Sequence, residues 1–246
     1  MGLTIHFKLV APPDTDAARA GELVRAMRRR AQGFKQRGRV DDVLPIGDDE
    51  EALRWATQYK SVPHPWKRGF TSGIEIRAEA GFLFPVAVGE DCEPLWLGLC
   101  RYPKTVLLEG RRHRTDLSGW RCHGFSKTQF ASLHGWEHFR RCHTAVVDLL
   151  AGMRRLGLDI EINDEGDFWP GRSFATLRRN LDEMNGIVAA TAGALKDFDE
   201  TANGQARVQS PIFAHKHFER LEAEGAARVG PKLKKLQAVV RGIMIR

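Results

Sequence analysis

Near the middle of the chain, side chains of complementary chemistry recur at two-residue spacing. If the run from Trp120 is a strand, alternation sets Arg121, His123, Phe125, Lys127 and Gln129 on one face. Trp120, Cys122, Thr128 and Phe130 then share the other. An imidazole, a fixed cation and an amide in a row supply a proton-transfer group, a charge to stabilise an anion and an orienting hydrogen bonder. The same alternation also describes a sheet face turned to solvent.

Acidic chemistry is concentrated in Asp164-Glu165-Gly166-Asp167-Phe168-Trp169. This segment comes after a short alternating run, Leu158, Ile160 and Ile162, and precedes a helical pattern, so it is expected as a loop at a strand end. Acids there serve as general bases or hold a hard cation such as magnesium, or simply form an exposed turn with Trp169 tucked against the core. The oxygen spacing does not fit an EF-hand.

His143 lies between Phe139 and Val146 on the apolar stripe of a predicted helix. A histidine there must lose its water and find partners for its ring nitrogens, either as a satisfied core residue or as a catalyst. Cys122-His123 and Cys142-His143 repeat a Cys-His pair, but strand neighbours face opposite ways. His138 and Cys142, four apart on a helix, form the one conventional ligand pair. Neither CxxC nor HExxH occurs, so no metal site is expected.

The charge balance is +7, with 38 Lys and Arg against 31 Asp and Glu. Seven basic residues and no acid lie between Arg25 and Val40, including Arg25, Arg28, Arg29, Lys35 and Arg37. They describe either the solvated face of a helix and its adjoining loop or a footprint for nucleic acid. At the C-terminus, Lys232, Lys234, Lys235 and Arg241 flank an apolar strip over 231–243, a second basic helical surface.

These residues need elements to position them. Leu3, Ile5, Phe7 and Leu9 alternate with polar residues, the mark of a half-buried strand. Pro12-Pro13 ends it, Asp14 or Thr15 can cap a helix, and 17–32 reads as that helix. Strands are expected at 74–78, 82–88, 95–102, 105–109 and 120–130, spaced closely enough for antiparallel pairing. Beyond them the pattern turns helical, with Phe139, Cys142, His143, Val146, Leu149, Leu150 and Met153 on one face and Gly157 as terminator. A further strip runs Phe174, Leu177, Leu181, Met184, Val188, Ala192 and Leu195, and helix is expected again at 215–224. The resulting expectation is one α+β domain over 1–246, a largely antiparallel central sheet with helices packed on it mainly from the C-terminal half.

No apolar run approaches the roughly 20 residues that span a bilayer, and no export leader is evident, so a cytoplasmic protein without membrane contact is expected. Four scattered cysteines are then expected as reduced thiols. The phosphate-loop, dinucleotide-fold, nucleophile-elbow and kinase signatures are missing.

Four segments, Thr4-Ile5-His6-Phe7, Cys92-Glu93-Pro94-Leu95, Lys127-Thr128-Gln129-Phe130-Ala131 and Asp164 to Trp169, together resemble in order the short motifs of an uncharacterised group of bacterial proteins. The resemblance carries no activity with it. It implies that Glu93, Lys127, Gln129, Asp164 and Glu165 are the positions to test first. Joined with His143, they give the leading expectation: an enzyme, of hydrolase type, acting on an anionic or phosphorylated substrate. A carboxylate or His143 would be general base and Lys127 would stabilise developing negative charge. The alternatives are a non-catalytic nucleic-acid-binding protein using the Arg25 to Arg37 surface, and an interaction or scaffold protein. Cofactor and oligomeric state are left open.

Overall fold

A computed structural model describes residues 3–63, 69–203 and 208–228. The chain divides into two compact units, each assembled from separated segments. One comprises Ile5–Ser126 and Arg141–Asn163; the other comprises Met1–Thr4, Lys127–Arg140 and Asp164–Arg246. The division falls inside regular elements, which is why no linker-like composition marks it.

The elements run β1 (Thr4–Val10), α1 (Ala17–Gln36), β2 (Asp42–Val43), α2 (Glu50–Arg54), β3 (Gln58–Pro63), β4 (Thr71–Ile76), β5 (Ala80–Ala87) and β6 (Leu95–Arg101). After these come β7 (Thr105–Leu108), β8 (Arg111–Arg114), β9 (Trp120–Lys127), α3 (Trp136–Gly152), β10 (Asp159–Asp164) and α4 (Phe174–Asn203). Six strands form one sheet in the order β10-β1-β9-β6-β5-β2, with antiparallel pairing of β2 to β5, β5 to β6 and β6 to β9. Two hairpins, β3-β4 and β7-β8, stand apart from it. The architecture is the expected α+β.

In the sheet-bearing unit, alternation on β1 buries Ile5, Phe7 and Leu9 and leaves His6 exposed. Helix α1 starts where Asp16 Oδ1 accepts the Arg19 N–H at 2.7 Å, a cap for an otherwise orphaned donor. Its Leu23, Val24, Met27 and Ala31, three and four apart, are buried, and it packs against β2, β5 and β6. Gly98 of β6 is required by closeness: a Cβ there would lie 2.0 Å from the Phe82 carbonyl oxygen.

The other unit has its own core of Val188, Ala189, Ala192, Ile212 and Leu221, flanked by Phe130, Met184, Phe213 and Phe218. Ser173 Oγ accepts the Thr176 N–H at 3.2 Å and starts α4. Residues 218–228 are helical. At Gly225 a Cβ would meet the Gly186 carbonyl oxygen at 1.9 Å, so only glycine permits that approach.

Several expectations shift. The run over 120–130 is not one strand: β9 stops at Lys127, and Gln129–His134 is a 3-10 helix, so Gln129 does not continue the strand face. Asp164 ends β10 and does not open a free loop. Phe174 and Leu195 of the expected apolar strip are 45% and 50% exposed, whereas Leu177, Leu181, Val188 and Ala192 are buried. Pro211–Ala214 is a 3-10 turn ahead of the last described helix. The segment 231–243 lies outside the described residues. No described helix is long and apolar enough to cross a membrane.

Candidate functional site

Of the six residues singled out for catalysis, Glu93 and His143 belong to the sheet-bearing unit. Lys127, Gln129, Asp164 and Glu165 belong to the other. Three of them, Gln129, Asp164 and Glu165, accept backbone N–H groups of their own unit. Gln129 is fully buried; its Oε1 accepts the Leu3 N–H at 3.0 Å and its Nε2 donates to Asn185 Oδ1 at 2.8 Å. Asn185 Nδ2 in turn donates to Ser132 Oγ at 3.2 Å, closing a buried amide chain.

The Asp164 carboxylate accepts N–H groups from Gly166 (2.8 Å), Phe168 (2.9 Å) and Trp169 (3.0 Å) and so shapes the acidic turn. Within that turn Asp167 takes the left-handed φ of 54°, a conformation Asp tolerates better than most residues. Glu165 Oε2 accepts the Thr4 N–H at 2.9 Å. Lys127 Nζ sits 6.0 Å from the centre of the Phe130 ring. His143 is fully buried on α3, as are Phe139, Cys142 and Val146.

Glu93 leads elsewhere, to a cleft of about 590 Å³ in the sheet-bearing unit. Strand alternation supplies its floor. On β9, His123 and Phe125 share a face; on β1, His6 faces outward, its ring 6.0 Å from that of Phe125. Trp96 interrupts the buried residues Leu95 and Leu97 of β6 and turns to the same cleft.

The segment from Trp55 to Tyr59 supplies a wall. The indoles of Trp55 and Trp96 stack with centroids 4.9 Å apart and planes 12° from parallel. Gln58 Nε2 donates to the carbonyls of Ala56 (3.1 Å) and His123 (3.3 Å), tying this segment to β9. Tyr102 Oη donates to the Ala56 carbonyl at 2.6 Å. Ser126 Oγ donates to the Glu93 carbonyl at 3.0 Å, fixing the backbone that carries the carboxylate.

Two polar atoms in the lining are buried without a hydrogen-bond partner among the described residues: Nε1 of Trp96 and Nε2 of His123. Each costs about 1–3 kcal/mol left that way. Burial, then the charges of Arg121 and Lys8, holds the His123 pKa below the ordinary 6.5, against a smaller upward pull from Glu161. The imidazole is therefore neutral at neutral pH. Burial pushes the Cys122 thiol in the same lining up to about 12, which leaves it a wall atom and not a nucleophile. Among the described residues no group of three or more His, Cys, Asp or Glu is placed to hold a metal ion.

Sequence reasoning placed His123 and Phe125 on one face but missed Trp55, Tyr59, Trp96 and His6. Their signal is an aromatic side chain at a position where solvent is expected. Trp55, Tyr59 and Phe125 are 61%, 75% and 55% exposed, and all three line this one cleft.

The basic run on and after α1 separates by role. Arg28 donates from Nε to the Leu44 carbonyl at 2.7 Å and from Nη2 to the Val43 carbonyl at 3.3 Å. Lys35 pairs with Asp42 at 2.7 Å, and Arg37 lies 5.1 Å from the Phe34 ring centre. Arg25 and Arg29 instead line a groove. No protein-family model, curated protein or solved structure matches the chain.

Proposed function

We propose that the sheet-bearing unit is a binding module for a planar heteroaromatic ring of the nucleobase class, held in the cleft between Trp55, Tyr59, Trp96 and Phe125. The concentration of exposed aromatic surface at one concave place carries this reading. Scattered exposed apolar residues are ordinary, whereas three aromatics around one cleft present stacking faces that water solvates poorly. A nucleobase-class ring brings both donors and acceptors on its edge. The Glu93 carboxylate suits an exocyclic amino group, and a ring acceptor suits the indole N–H of Trp96 once the stack with Trp55 opens to admit it. His123 enters as a neutral hydrogen-bonding group and not as half of an acid–base pair.

Titration of the chain with nucleosides, monitored by tryptophan fluorescence, tests the reading. Saturable quenching by purine or pyrimidine nucleosides, absent with ribose alone, is the expected result. A flat response to all nucleosides up to their solubility contradicts it.

A further inference from the structure

A groove of different chemistry lies along the exposed face of α1. Arg25 and Arg29, four apart and therefore stacked along one helix face, line a groove of about 420 Å³ with Arg155 of the 3-10 turn Met153–Leu156. Arg19 also lines it but is already paired, its Nη1 2.9 Å from Glu22 Oε2. The side chains of Arg25, Arg29 and Arg155 make no hydrogen bond or ion pair with any described residue. Like charges at this spacing destabilise a helix, and the one acid in the groove is spent on Arg19.

Arg30, the next residue along, adds to the positive field. It lies against Gly152, where a Cβ would come within 2.2 Å of its Nε, and that Nε is buried with no partner among the described residues. Burial first, and then the charges of Arg155 and Arg37, lower its pKa. Arg25, Arg29 and Arg155 are all exposed, so an anion reaches them directly from solvent. Here guanidinium groups from two separate elements converge on one concavity, the arrangement that recognises tetrahedral oxyanions by charge and paired N–H donors.

We infer that the groove between α1 and the Met153–Leu156 turn is a binding site for phosphate groups, with Arg25, Arg29 and Arg155 as the ligating residues. The site is independent of the aromatic cleft and needs no ring. Phosphate oxygens reach it either from a free phosphorylated compound or from the backbone of a nucleic acid, and two probes tell these sources apart.

Calorimetric titration with inorganic pyrophosphate, and anisotropy of labelled mixed-sequence single-stranded RNA at several salt concentrations, are run on the whole chain and on Arg29→Gln, Arg155→Gln and Arg220→Gln. The last removes one positive charge far from the groove in sequence, and circular dichroism checks that each variant folds. Pyrophosphate binding that falls about tenfold in Arg29→Gln and Arg155→Gln but not in Arg220→Gln supports the site and identifies a free phosphate compound as its source. RNA binding alone, weakening steeply with salt and losing affinity and slope in the same two variants, supports the site as a backbone contact. Absence of binding by either probe, or equal losses in all three variants, overturns the inference. Because pyrophosphate carries no ring, its result stands apart from that of the nucleoside titration.

Discussion

Trp55 and Trp96 stack face to face at 4.9 Å although they come from different segments, and the outer member of the pair, Trp55, is 61% exposed. A stack of this kind is worth only about 0.5–1.5 kcal/mol beyond its burial, so the fold does not depend on it. Its position at the cleft is what gives it consequence. Trp55→Ala is expected to shift the urea midpoint little while weakening nucleoside binding by about 1–3 kcal/mol, the usual value of one base–aromatic stack. Loss of stability with unchanged affinity would make the pair a packing feature.

Gln129 is expected to behave in the opposite way. Replacing it with Ala leaves the Leu3 N–H and Asn185 Oδ1 buried without their partner, a loss of about 2–4 kcal/mol in denaturant unfolding. Nucleoside affinity of the folded fraction should be unchanged. A variant of full stability would restore Gln129 as a candidate for function.

Asp164→Asn is the companion test for the acidic turn. The amide retains one acceptor but turns its NH₂ towards backbone N–H groups that the carboxylate oxygens now accept. Destabilisation of about 1–3 kcal/mol is expected, with no effect on cleft binding. A fall in ligand affinity at unchanged stability would show that the carboxylate has a role beyond the turn.

His123 gives a pH dependence of definite sign. Its native pKa lies below the ordinary 6.5, so between the two values the unfolded chain holds a proton that the native chain lacks. Stability from this group therefore rises with pH through that window, is complete above 6.5 and is lost as pH falls through it. The urea midpoint of the wild type is expected to drop below pH 6.5 more steeply than that of His123→Gln. Parallel curves for the two chains would contradict the assignment.

The legible parts of the molecule were those set by local periodicity. Alternation from Leu3 to Leu9 marks β1, the Pro12-Pro13 stop and the capping residues after it mark the start of α1, and the three-and-four spacing of Leu177, Leu181 and Val188 marks α4. Gly157 is legible as a terminator from its place after the helical pattern, and it caps the 3-10 turn Met153–Leu156 with a left-handed φ of 80°. What local pattern does not carry is the partner of a polar group. Gln129 stands at strand spacing from Lys127, but its amide is satisfied only by Leu3 and Asn185, distant in sequence, and these draw it into a buried turn. The cleft was hidden for the same reason: His6, Trp55, Trp96 and His123 come from four segments, and only sheet order and the Gln58 bonds to Ala56 and His123 bring them together.

Binding in the cleft would be felt first at the Trp96 indole N–H, which NMR observes directly. The chain contains six tryptophans and so six indole ¹⁵N–¹H resonances, of which those of Trp55 and Trp96 are assigned by Trp55→Phe and Trp96→Phe. On addition of adenosine, these two are expected to move saturably and together, while that of Trp120, 4% exposed on β9, stays in place. Stationary Trp55 and Trp96 resonances, or equal movement of Trp120, would contradict the cleft as the binding site.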